Sequence, residues 1–204
     1  MSKASQTLNS SKNQNWRTDK RELDLVRLLG PILFDPMTDS DNPTGARWFI
    51  DPRGCGNVGV DDVFMLPEGV FAQAQGLIFV NPTWGYSLAK VATLLCREGT
   101  HVANPKYGLN EMVVLAPHRL DTKWCRQLQR SADKVCVLPY RPYFLERKEN
   151  GSWGRAQAKD RKGKLRDTAV TVTCAFYYWG YRSSDVQAMW AQAVPEATFI
   201  KVDR

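Results

Sequence analysis

The chain has 204 residues, room for one compact α/β or all-β domain and too few for two generous ones. Hydrophobic residues make up 43% and charged residues 24%, and 14 glycines with 11 prolines exclude collagen-like or low-complexity material. Lysine and arginine outnumber aspartate and glutamate 28 to 21, and the formal charge of +7 favours polyanionic partners without requiring one.

Five scattered cysteines (Cys55, Cys96, Cys125, Cys136, Cys174) and only two histidines (His101, His118) offer no close ligand spacing and no even disulfide set. Neither a metal site nor a disulfide framework is expected. No 18-residue apolar run is present, and the polar stretch Met1–Asn15 lacks the apolar region of a secretory signal. The expected setting is a reducing cytoplasm with no membrane partner.

Residues 1–15 read as a disordered polar tail, because they have almost nothing to bury. Asp19 and Glu22 stand at capping-box spacing before Leu25, Val26 and Leu29, which predicts a helix that Gly30-Pro31 stops. Ile32–Phe34 reads as a buried strand, and Asp35-Pro36 as the turn after it. Asp39–Gly45 reads as loop and Arg47–Ile50 as a second short strand. Gly54, Gly56 and Gly59 lack the strand–turn–helix context of a phosphate-cradling loop and read as an irregular turn.

From Leu77 the chain alternates. Leu77–Val80 is a continuous apolar run, the pattern of a strand buried on both faces. Ser87 is placed to cap a helix carrying Leu88, Val91, Leu94 and Leu95, with Gly99 as its stop. Met112–Leu115, Val135–Leu138, Val170–Trp179 and Phe199–Val202 read as further strands. Helices are predicted over Asp121–Ser131, with Asp121 as N-cap, and after the Ser184/Gln187 capping box. Strands separated by helices predict an α/β fold with a mostly parallel sheet and helices on both faces.

The pattern breaks at 146–167, a basic insertion in the domain. Eight basic residues there stand against four acidic ones, and Trp153 lies among glycine and polar residues. Arg155, Lys159, Arg161, Lys162, Lys164 and Arg166 are candidate phosphate contacts; the competing reading is a solvated loop.

The sharpest feature is Val80-Asn81-Pro82-Thr83-Trp84-Gly85, directly after a buried strand, where open α/β sheets bind ligands. Asn-Pro followed two residues later by an aromatic residue resembles motif IV of amino-methyltransferases, Asn/Asp/Ser-Pro-Pro-aromatic. The chemistry of that motif suits these residue types. An exocyclic amino group is a poor nucleophile because its lone pair is delocalised into the ring. An amide oxygen and a proline carbonyl that accept its two hydrogens localise the lone pair. The aromatic residue stacks on a flipped base.

Other stretches extend the likeness in order. Trp16-Arg17-Thr18 resembles a Trp-x-Thr signature, and Phe34-Asp35-Pro36 with Asp41-Asn42-Pro43 resembles a strand-ending Asp segment. Val113–Pro117, running on to Leu120–Trp124, resembles a hydrophobic strand and Pro followed by Thr-Asp-Thr-x-Trp. From about Trp16 to Trp179 the chain resembles the phage-type, Dam-like DNA adenine methyltransferase family. That resemblance implies a Rossmann-like, S-adenosylmethionine-dependent enzyme in residues 16–204, acting on the adenine amino group in DNA, in a host cytoplasm. It implies catalytic Asn81, Pro82 and Trp84, and a cofactor pocket of Trp16, Thr18, Asp35 and Pro36. Two departures stand: Thr83 replaces the second proline, and no glycine-rich cofactor turn is evident. The alternatives are a catalytically weakened relative that binds DNA or a host protein, and a cytosine amino-methyltransferase.

Simpler readings compete at single positions. Asp35 suits a turn cap, Trp16 a hydrophobic staple, and His118 an exposed loop. Tyr177, Tyr178 and Trp179 read as core.

Overall fold

Continuous apolar runs cannot face water on either side, and in the computed structural model they form the centre of a seven-stranded sheet. Residues 17–51, 56–60, 62–82, 88–159, 164–167, 170 and 172–202 are described. In chain order the strands and helices are β1 (Arg17–Thr18), α1 (Lys20–Arg27), β2 (Ile32–Asp35), β3 (Trp48–Phe49) and β4 (Leu77–Val80). Then come α2 (Leu88–Val102), β5 (Glu111–Pro117), α3 (Lys123–Ser131) and β6 (Lys134–Val137). Four short strands follow: β7 (Phe144–Arg147), β8 (Trp153–Arg155), β9 (Gln157–Lys159) and β10 (Leu165–Asp167). The chain closes with β11 (Cys174–Gly180), α4 (Ser183–Ala193) and β12 (Thr198–Lys201).

The large sheet has the order β12-β6-β11-β5-β4-β2-β3. Pairings β3–β2, β2–β4 and β4–β5 are parallel; β5–β11, β11–β6 and β6–β12 are antiparallel. The fold is therefore mixed α/β, and the expected mostly parallel sheet is corrected. After the β7–β10 excursion the chain re-enters between β5 and β6 from the opposite end, so β11 is antiparallel to both. All seven of its residues are buried.

Strand alternation divides the core. Ile78, Val80, Met112, Val114, Tyr177 and Trp179 face one cluster with α2 and α3. Leu77, Phe79, Val113, Leu115, Phe176 and Tyr178 face the other with α1 and α4. Tyr177, Tyr178 and Trp179 are fully buried, as core residues. Beneath the sheet, at the amino end of β5, Arg182 donates from Nε to Glu111 (3.1 Å) and from Nη2 to the Leu29 carbonyl (2.7 Å). The Tyr178 hydroxyl donates to the same Glu111 at 2.5 Å, so one carboxylate ties the end of α1, β5 and β11.

Several local expectations change for identifiable reasons. Asp19 precedes α1, but its side chain makes no cap bond; its carboxylate receives Arg155 instead. Thr122, not Asp121, caps α3 by accepting from the Cys125 N–H, while Asp121 pairs with Arg119. α4 begins at Ser183, and Gln187 accepts from Lys134 at 2.8 Å rather than closing a capping box. The last strand of the long apolar stretch starts at Cys174, not at Val170. Ser87 lies outside the described residues. The 146–167 segment is not a plain loop: β7 and β8 join β1 in a three-stranded sheet, and β9 pairs with β10. Gly56 fits a turn packed on β3, where an added Cβ lies 2.7 Å from the Phe49 carbonyl.

Gly99 does not end α2, which continues to Val102. A methyl group there meets the Trp179 indole at 2.6–2.7 Å, so the glycine admits a ring rather than stopping a helix. Gly99→Ala gains at most about 1 kcal/mol of helix propensity and overpacks a rigid aromatic at a cost of about 1–3 kcal/mol. The variant is expected to unfold at lower urea concentration than the parent. An equal or higher midpoint contradicts this account of the packing.

Candidate functional site

The chain leaves β2 toward β3 on one side, while β4 leads to β5 on the other. The carboxyl ends of β2 and β4 thus form the crevice of a topological switch point, the usual ligand position in open α/β sheets. Asp35 ends β2 and Asn81 directly follows β4.

Asn81 is held across the fold. Its Nδ2 donates to the Thr18 Oγ1 at 2.9 Å, joining the main sheet to β1. That bond fixes which way the amide points and leaves Oδ1 buried with no hydrogen-bond partner. An orphaned buried acceptor costs about 1–3 kcal/mol, a cost that a bound donor relieves. Pro82 beside it is buried.

Thr18 is positioned by its neighbours. β1 pairs antiparallel with β7, Thr18 opposite Phe144. Arg17 donates to Asp39 at 2.7 and 2.8 Å and to Asp41, and its guanidinium lies 3.4 Å from the centre of the Trp153 ring. Trp153, expected among phosphate contacts, is instead a stacking partner inside the small sheet. Arg155 bonds Asp19 at 3.1 Å, lies 4.0 Å from Asp167 and covers the Tyr143 ring. Its charge is largely compensated within the chain. Lys164 and Arg166 also have partners. Trp16, Thr83, Trp84, Arg161 and Lys162, and the side chain of Lys159, lie outside the described residues.

Asp35 is buried. Its Oδ1 accepts from the Met37 N–H at 3.1 Å and its Oδ2 from the Thr44 hydroxyl at 3.0 Å. Asn42, at φ 42°, continues the network by accepting from Thr44 and from the Ala46 N–H. The carboxyl thus caps its own turn. Burial raises its pKa to about 7, against hydrogen bonds from Met37, Thr44 and Thr38 that favour the charged form.

Sequence reasoning missed one residue here. Glu22 shares the α1 stripe of Leu25, Val26 and Leu29, and it is 1% exposed, with the Tyr140 hydroxyl as its neighbour. Burial raises its pKa to about 7 as well. The buried Tyr140 hydroxyl meets Glu22 on this face of the sheet, with Arg21 stacked 3.4 Å from its ring centre. A carboxylate at i, i+3, i+4 spacing with three apolar residues was the available signal.

His118, expected on an exposed loop, is half-buried on the opposite face. Its Nδ1 shares a hydrogen bond with the Tyr177 hydroxyl at 3.1 Å, and burial lowers its pKa. Cys96, Cys125, Cys136 and Cys174 are free and buried. Among the described residues no three His, Cys, Asp or Glu side chains group as metal ligands, and no helix is long and apolar enough to cross a membrane. No protein-family model matches the chain, and no curated protein sequence matches it.

Two buried carboxyls with raised pKa values set the sign of a pH dependence. Between the unfolded values, 4.5 for Glu22 and 3.8 for Asp35, and about 7, the folded chain binds more protons than the unfolded one. Their contribution to stability is complete below the unfolded values and is lost as pH rises through about 7. Glu22→Gln removes one titrating proton. It is expected to reduce the decline in stability between pH 5 and 7 by up to about 1.4 kcal/mol per pH unit, read from urea unfolding. Parallel pH profiles for variant and parent contradict a buried, titrating Glu22.

Proposed function

We propose that the chain transfers a methyl group from S-adenosylmethionine to the exocyclic amino nitrogen of adenine in DNA. One observation carries the reading: the Asn81 amide at the carboxyl end of β4, its nitrogen held by Thr18 and its oxygen buried without a partner. The resemblance of Asn81-Pro82-Thr83-Trp84 to motif IV supplies the chemical class.

The acceptors at this end of the sheet fit such a cofactor, which offers O–H and N–H donors and a cationic sulfur. Asn81 Oδ1 has no hydrogen-bond partner among the described residues, and the buried Asp35 carboxyl ends the neighbouring strand β2. Thr18, Asp35 and Pro36, with Trp16, are the residues that would hold it. When bound, the cofactor supplies a methyl carbon made electrophilic by its sulfonium.

The chain's own groups prepare the nucleophile. Asn81 Oδ1 accepts one amino hydrogen and the Pro82 carbonyl the other, which opposes delocalisation of the nitrogen lone pair into the purine. Thr18, by accepting from Nδ2, polarises the amide and strengthens its oxygen as an acceptor. Held this way, the amino nitrogen would take the methyl group from the sulfonium, which would leave as a neutral thioether, and the surplus amino proton would pass to water. Trp84 is assigned the stacking role, on the resemblance alone.

A second reading has support in Asp35, whose carboxyl already caps its own turn, and in Thr83 at the second proline position. On that reading the chain is a catalytically weakened relative that binds DNA.

Labelled-methyl transfer to unmethylated DNA, followed by nucleoside analysis, separates these readings. The label is expected on the amino nitrogen of adenine; label on the cytosine amino group moves the target. Cofactor binding with no transfer to any DNA supports the second reading. Asn81→Ala is expected to lower kcat at least about 100-fold with an unchanged melting temperature. Thr18→Val is expected to lower kcat about tenfold, the scale of one lost neutral hydrogen bond, with little change in KM. Wild-type kcat in Asn81→Ala removes that side chain from the mechanism.

A further inference from the structure

Several cations among the described residues are held in ion pairs. Arg17, Lys148, Arg155 and Arg182 each ion-pair with an acidic side chain. α3 differs. From Lys123 to Ser131 it contains no acidic residue, and Lys123, Arg126 and Arg130 are exposed at i, i+3 and i+7, on one face. Among the described residues none of the three ion-pairs with a carboxylate; Arg126 donates only to the Leu120 carbonyl, at 2.7 Å. The other face of α3, with Cys125 and Leu128, is fully buried, so the helix cannot roll its charges away.

These three cations lie with Gln127 and Ser131 along one shallow, solvent-open surface of α3. Lys123 and Arg130 are separated by about 10 Å along the helix axis. α3 follows the carboxyl end of β5 after five residues, so its positive amino end lies at the same end of the sheet as Asn81.

We infer that the exposed face of α3 holds the phosphodiester backbone of DNA, a role the sequence assigned to the basic segment 155–166. The inference rests on the reading of DNA as substrate and adds where the strand is gripped. The occupant follows from charge: three exposed cations in a row that ion-pair with no carboxylate among the described residues, on a chain of net charge +7, against a polyanion.

The test is binding of a fluorescent duplex oligonucleotide to the full chain across a salt series. K123Q/R126Q/R130Q is expected to weaken binding at least tenfold at low salt and to lower the slope of log affinity against log salt by about two to three. Arg155→Gln is expected to change that slope by less than about 0.5. Lys123→Gln and Arg130→Gln singly, each expected to lower it by about one, serve if the triple variant does not fold. A wild-type slope in the folded variants overturns the assignment to α3, whatever the methyl-transfer result. Binding of RNA but not DNA also overturns it. Loss of DNA binding in the triple variant alongside a wild-type chain that transfers no methyl group supports α3 and removes the catalytic reading.

Discussion

The hydrogen bond from Asn81 to Thr18 is the contact on which the site depends. It spans 63 residues of sequence and links two sheets. An amide has one donor end and one acceptor end, so fixing the first determines what the second presents. With Nδ2 engaged, Oδ1 is turned into a buried position where no described residue donates a hydrogen bond to it. A folded protein retains few such groups, because each lowers its stability without return unless something else binds there. The site is thus a place where stability is given up, at the crevice that the strand order creates.

Much of the remaining structure serves to hold Thr18 still. β1 has only two residues and cannot persist alone. It is fixed by β7, by the Asp39 and Asp41 carboxylates on Arg17, and by the Trp153 ring beneath that guanidinium. The Arg155–Asp19 pair fastens the same region from the next strand. Electrostatic pairing here positions the small sheet, whereas Lys123, Arg126 and Arg130 on α3 ion-pair with no carboxylate among the described residues.

The sequence was informative where local pattern and tertiary environment agree. Leu77–Val80 coincides with β4, because a run of four apolar residues has no stable alternative to burial on both faces. Asn81 was legible as a candidate site residue because it follows such a strand. Strand direction was not legible, since hydrophobic runs read the same either way; β11 therefore entered the expectation as one more parallel strand. Gly99 was misread because the Trp179 ring that requires it lies 80 residues away in sequence and in contact in space. The short strands β7–β10 were hidden by charged residues whose partners lie across the fold. Thr18 was marked as a cofactor contact, but its grip on Asn81 needed coordinates, and so did the burial of Glu22.

The central claim is that the unpaired oxygen of Asn81 receives a nucleobase amino group. A crystal structure of the chain with adenosine and S-adenosylhomocysteine, the demethylated cofactor, tests it most directly. The account predicts the purine amino nitrogen at about 3 Å from Asn81 Oδ1, with Nδ2 still on Thr18. A nucleoside bound elsewhere, or an Asn81 oxygen bonded to another part of the chain while adenosine saturates the protein, contradicts it.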